Sequence, residues 1–207
     1  MHNIRLKDTH NDSIITCIDE VDKTTNPTAL LTHTFAKDIC KVLGINMPEI
    51  CLHTGDQDTT TGYELYAVTY GSHDSILPGK PLVIIFLKTI VKYKKNPGEF
   101  ISILAHELRH VWQETQGNIG IGAKGFEAFS DRAEIDADDF AIWYLSEVTG
   151  FSLKEAADLS CESLKIIARK WYMARLTKAG NLARQYERDK SAIKPSKDLF
   201  DQILDKF

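Results

Sequence analysis

Apolar residues at Leu30, Leu31, Phe35, Ile39 and Val42 recur with a helical period. Asn26-Pro27 reads as a cap followed by proline at the first helical position, and Gly44 closes the segment. Pro48 then starts a short strand candidate over 49–53. The polar stretch 54–62 reads as a loop. Residues 63–70 alternate, with Leu65, Ala67 and Thr69 on one face, as a half-buried strand does. The run 82–87 is continuously apolar and β-branched, which predicts a strand buried on both faces. Gly71 to Asp74 and Leu77-Pro78-Gly79 are turn material between these two strands.

The second half of the chain changes rhythm from strands to helices. Asn96 caps a helix with Pro97 first and Glu99 third, and Ile101, Leu104, Leu108, Val111 and Trp112 mark its apolar side. It is expected to run to about Gln116, where the glycine-rich stretch 117–125 begins, a lid or a linker. Ser130 is positioned to cap a helix through about Val148. Ser152 to Glu155 is a capping box opening helical sequence to about Asp189, and a short terminal helix carries Leu199, Phe200, Ile203 and Leu204. Residues 1–25 are polar, and either loose or a short edge strand. The pattern predicts an α+β domain: a small sheet with helices packed on it and a helical C-terminal third.

Composition narrows the function classes. With 207 residues, 43% hydrophobic and 26% charged, the chain can bury a core without staples. The net charge of −4 argues against a nucleic-acid surface, and the basic run Lys92-Tyr93-Lys94-Lys95 reads as a solvated turn. No apolar run approaches a membrane span. Cys17, Cys40, Cys51 and Cys161 have no C-x-x-C spacing, so buried free thiols in a reducing, cytoplasmic setting are expected.

The chemistry concentrates in His106-Glu107-Leu108-Arg109-His110. Four helical residues advance ~6 Å and turn ~400°, so both imidazoles leave nearly one face. That spacing allows two neutral imidazole nitrogens to bind one Zn²⁺ ion. Glu107, one position on, lies beside such a metal and is the candidate general base. A five-residue match also arises by chance on surface helices. Here the motif sits on an amphipathic helix after a buried strand, which places its polar face at a cleft. Downstream, Glu134 and Asp138 share one helix face at i and i+4, with Ala133, Ala137 and Ala141 small enough for close helix approach.

These two motifs, H-E-L-x-H and E-x-x-A-D-x-F-A, resemble the gluzincin-like metallopeptidases. The motifs are similar to those of the membrane-embedded CAAX-type and HtpX-like peptidases. In size the chain is closer to the small ImmA/IrrE-like regulatory proteases. The resemblance covers residues 99–141 and implies a single zincin-like domain over 26–207, with a motif core at 96–148 and C-terminal helices at 152–207. It implies zinc held by His106, His110 and Glu134, Glu107 as catalytic base, and Asp138 orienting a histidine from behind. Asp138 competes with Glu134 for the ligand role, whereas Asp136 is expected to point away. The implied activity is hydrolysis of peptide bonds, with a protein or peptide substrate laid along the 63–70 edge. The chain departs from the membrane families in having no apolar span, and no helix-turn-helix partner is visible.

Other residues stay open. His53 and His73 read as solvated loop histidines rather than ligands, although His73 is placed to help bind substrate. Tyr63, Tyr66 and Tyr70 read as strand packing, with one of them a possible oxyanion donor. Arg109 is expected at the surface or paired to an acid, and Trp112 and Trp143 in the core. Two other functions compete with a peptidase: a zinc-binding regulatory or interaction module with little turnover, and a helical protein without metal. The intact Glu107 counts against the first and the acidic second helix against the other.

Overall fold

The computed structural model describes residues 15–53, 67–72, 79–86, 96–116 and 132–160. They form β1 (Ile15–Cys17), a 3-10 turn (Ile18–Glu20), α1 (Pro27–Leu43), β2 (Glu49–His53), β3 (Ala67–Tyr70), β4 (Leu82–Phe86), α2 (Pro97–Thr115), α3 (Arg132–Thr149) and α4 (Leu153–Ser160). The fold is α+β. The expected loop at 54–62, Tyr63, Leu65, Tyr66, His73, the basic run 92–95, the glycine stretch 117–125, Ser130 and everything after Ser160 lie outside the described residues.

The strands make one mixed sheet in the order β1-β2-β4-β3. β2 and β4 pair in parallel, while β1 and β3 run antiparallel to their neighbours. β4 therefore has a strand on each side, and all five of its residues are buried. Its side chains divide between two faces. Val83 and Ile85 join Ile50 and Ala67 in the main core under the helices. Leu82, Ile84 and Phe86 face the other way, beside Cys17 and Cys51. A strand with two buried faces has no polar alternation, which is why 82–86 reads as an unbroken apolar run. The edge strand foreseen within 1–25 is Ile15–Cys17.

Local chemistry sets the helix ends. The Asn26 side chain accepts from the Ala29 N–H at 3.1 Å, with Pro27 following. Gly44, at φ 67°, takes the left-handed turn that ends α1. Asn96 accepts from the Glu99 N–H at 3.3 Å and starts α2 in the same way. Ser152 and Glu155 exchange hydrogen bonds at the head of α4.

Leu31, Phe35 and Ile39 of α1 and Ile101, Leu104 and Leu108 of α2 are almost wholly buried. Burying each such side chain contributes about 1.5–3 kcal/mol. α3 packs against α2, with the Phe140 ring 5.3 Å from the Arg109 guanidinium, and Tyr144 of α3 donates to Asp38 of α1 at 2.8 Å. At Gly98 a side chain would press on the Leu159 side chain of α4, which would have to shift to admit it. Among the described residues no helix is long and apolar enough to cross a membrane.

His53 is not solvated: it ends β2, is 9% exposed, and packs edge-on to Phe86 with ring centroids 5.3 Å apart. Its position on the same face as Cys51, two residues back, turns it into the second apolar layer.

Candidate metal centre

The helix spacing of His106 and His110 does what the i, i+4 geometry requires. Their Nε2 atoms lie 3.0 Å apart. Glu134, from the first turn of α3, brings one oxygen to 3.2 Å from His106 Nε2 and the other to 3.3 Å from His110 Nε2. Atoms bound at about 2.0–2.1 Å to one tetrahedral ion lie about 3.3 Å from one another. These three side chains form a possible metal-binding group. Asp138 is absent from it. Its carboxylate lies behind His106, with Oδ1 2.9 Å from Nδ1.

The hydrogen bonds around the rings determine what the Nε2 atoms present. Asp138 is an acceptor, so His106 Nδ1 carries the proton. On the other ring, Nδ1 of His110 lies 2.9 Å from Gln113 Oε1. The Gln113 amide is oriented by its Nε2, which donates to Ala133 O at 2.8 Å and to Asp136 Oδ2 at 2.9 Å. Both partners there are acceptors, so Oε1 must face His110 and Nδ1 must donate to it. In each neutral ring the Nε2 is then a bare lone pair. Two lone pairs and a carboxylate converge in a half-buried place, and only a cation relieves that arrangement. The donor set of two imidazoles and one carboxylate suits a first-row divalent ion.

Without a metal a proton takes that place. Burial depresses the His106 pKa, but hydrogen bonds to Asp138 and Glu134 outweigh burial and hold it well above its ordinary value. Burial raises Glu134, and the two histidines more than reverse this, holding its carboxyl well below the usual carboxylate range.

Glu107 does not join the converging atoms. Its carboxylate is mostly buried and accepts from Thr69 Oγ1 of β3 at 2.6 Å. Seven residues on, Glu114 accepts from the Ser72 N–H at 2.7 Å and from its hydroxyl at 2.6 Å. α2 is thus pinned along β3, an edge strand of the sheet among the described residues.

Arg109 is buried and paired. Its Nε and Nη2 donate to the two oxygens of Asp136 at 2.8 and 3.0 Å, and its guanidinium lies 3.6 Å over the centre of the Trp112 ring. Asp136 therefore turns from the metal group to clamp α3 onto α2. Tyr70 belongs to the opposite face of the sheet with Val68, so it is not an oxyanion donor for this group. Gln113 and Thr69 were missed by sequence reasoning. Gln113 had a signal, since it sits three residues after His110 on the same helix face. Thr69 had none, because its partner is 38 positions away. No family model, curated protein or solved structure matches the chain.

Proposed function

We propose that the protein is a zinc-dependent metallopeptidase, with His106, His110 and Glu134 as ligands and Glu107 as general base. The observation that carries this reading is the convergence of two imidazole lone pairs and a carboxylate, with both Nδ1 atoms committed elsewhere. Zinc is the metal that such a three-ligand set most often holds with a position left open, and when bound it polarises a carbonyl and lowers the pKa of a coordinated water toward about 7.

The chain's own groups supply the rest. Glu107 takes a proton from the attacking water and returns it to the leaving amine. The Thr69 hydroxyl holds that carboxylate in place. Asp138 and Gln113 keep both rings in the ligating tautomer. An extended peptide adds along the β3 edge, where backbone hydrogen bonds bind it without reading its sequence. The described cysteines are all free thiols, which suits the cytoplasm.

The test is elemental analysis and peptide cleavage by wild type, Glu134→Ala and Glu107→Gln. The reading expects about one zinc per chain in wild type and Glu107→Gln, little in Glu134→Ala, and cleavage by wild type alone. Wild type that binds no added zinc would sink it.

A further inference from the structure

A second group of three donors lies on the other face of the sheet. Cys17 of β1 and Cys51 of β2 are direct partners in the antiparallel pair. Their sulfurs are 2.9 Å apart, and a Glu49 carboxylate oxygen lies within 4.8 Å of them. Cys51 is 2% exposed and Cys17 6%, and around them pack Leu82, Ile84 and Phe86.

We propose that Cys17 and Cys51 form a reversible redox pair that closes to a disulfide and locks β1 onto the sheet. Directly opposed antiparallel residues have Cα atoms about 4.5–5.5 Å apart, inside the about 4.4–6.8 Å range that disulfides span. The surroundings favour closure over a metal. Two thiolates and a carboxylate around a divalent ion would leave net negative charge against Leu82, Ile84 and Phe86, whereas a disulfide is neutral and apolar.

Burial is the main reason the Cys51 thiol is pushed far up; it also raises Cys17, which Cys51 lowers and Glu49 raises. Both sulfurs therefore rest as thiols, and oxidation passes through a small thiolate population. Among the described residues β1 is an edge strand, and local opening there gives an oxidant access.

The oxidant is a low-molecular-weight disulfide. The Cys17 thiol loses its proton, and its thiolate attacks one sulfur of the oxidant. A mixed disulfide forms, and the first small thiolate leaves and takes up a proton. Cys51 then loses its proton, displaces the second small thiolate and closes the Cys17–Cys51 bond. Two protein thiols are oxidised and one small disulfide is reduced to two thiols.

The test uses the full chain in graded mixtures of reduced and oxidised glutathione, quenched in acid, alkylated and mapped by peptide mass. The expected result is joint loss of alkylation at Cys17 and Cys51 and one cross-linked peptide lighter by two hydrogens. The thermal midpoint should rise by about 5–10 °C on oxidation in wild type, and not in Cys51→Ala. Both cysteines remaining alkylatable at every ratio would overturn the proposal, as would pairing of either with Cys40, Cys161 or glutathione alone. Protection of both thiols by added zinc, reversed by a chelator, would also overturn it in favour of a metal clip. The histidine centre is read separately by the zinc content of Cys51→Ala, so failure here leaves that reading untouched.

Discussion

The protein holds two clusters of three potential ligands, His106/His110/Glu134 and Cys17/Glu49/Cys51, and each brings its donor atoms within 4.8 Å. Proximity is therefore not what separates them. At the histidine cluster, Asp138 and Gln113 occupy the outer ring nitrogens and force the inner ones to be lone pairs. At the cysteine cluster burial raises both thiols and outweighs the Cys51 hydrogen bond that lowers Cys17, so the protons stay on. The first cluster is arranged to take up a cation, while the second is complete as two thiols or as one disulfide. The state of the donors is set by their neighbours and not by distance alone.

The largest effect that would break the contrast is at Glu134. Glu134→Ala should abolish zinc binding by elemental analysis, whereas Cys51→Ala should leave zinc content unchanged. Equal losses in both variants would erase the distinction. Glu107→Gln comes next: it should keep zinc and lower peptide hydrolysis by about 10²–10⁴-fold, read as kcat/KM. Asp138→Asn and Gln113→Leu should each weaken zinc binding by about 10–100-fold in a chelator competition, since each releases a ring from its ligating tautomer. No change in either variant would mean that the tautomers are set by something else.

Smaller, and diagnostic in sign, is the dependence on pH. In the metal-free protein His106 is raised above its ordinary 6.5, so its contribution to stability is full below about pH 6.5 and is lost as pH rises through its folded value. Glu134 is lowered below its ordinary 4.5, so its contribution is full above about pH 4.5 and is lost as pH falls through its folded value. Chelated protein should therefore draw most from this pair between about pH 4.5 and 6.5. On the proposed reading zinc would compete with the His106 proton, so a zinc-induced rise in melting temperature should be greater at pH 8 than at about pH 6. A pH-independent rise would show that no proton leaves when the metal enters.

Much of this was legible in residue order. Asn26-Pro27, Asn96-Pro97 and Ser152 to Glu155 are start signals that act within one turn, and each stands where its helix begins. The apolar run of β4 gave away its burial on both faces. His53 was misread because a histidine next to a polar loop looks solvated until the strand beside it supplies Phe86. Residue order leaves Arg109 between solvent and an acid, because Asp136 lies on another helix.

What the sequence determined alone is local: the caps, the helical period, and the i, i+4 spacing that puts His106 and His110 on one face. These follow from backbone geometry over one or two turns and need no other part of the chain. Tertiary structure decided the rest. It chose Glu134 over Asp138 to face the rings, set Thr69 against Glu107, oriented Gln113 through Asp136 and brought Cys17 opposite Cys51. Each depends on how far one element is shifted or turned against another. That register is set by the packing of the whole core around Phe35, Leu108 and Phe140, and no short stretch of sequence contains it.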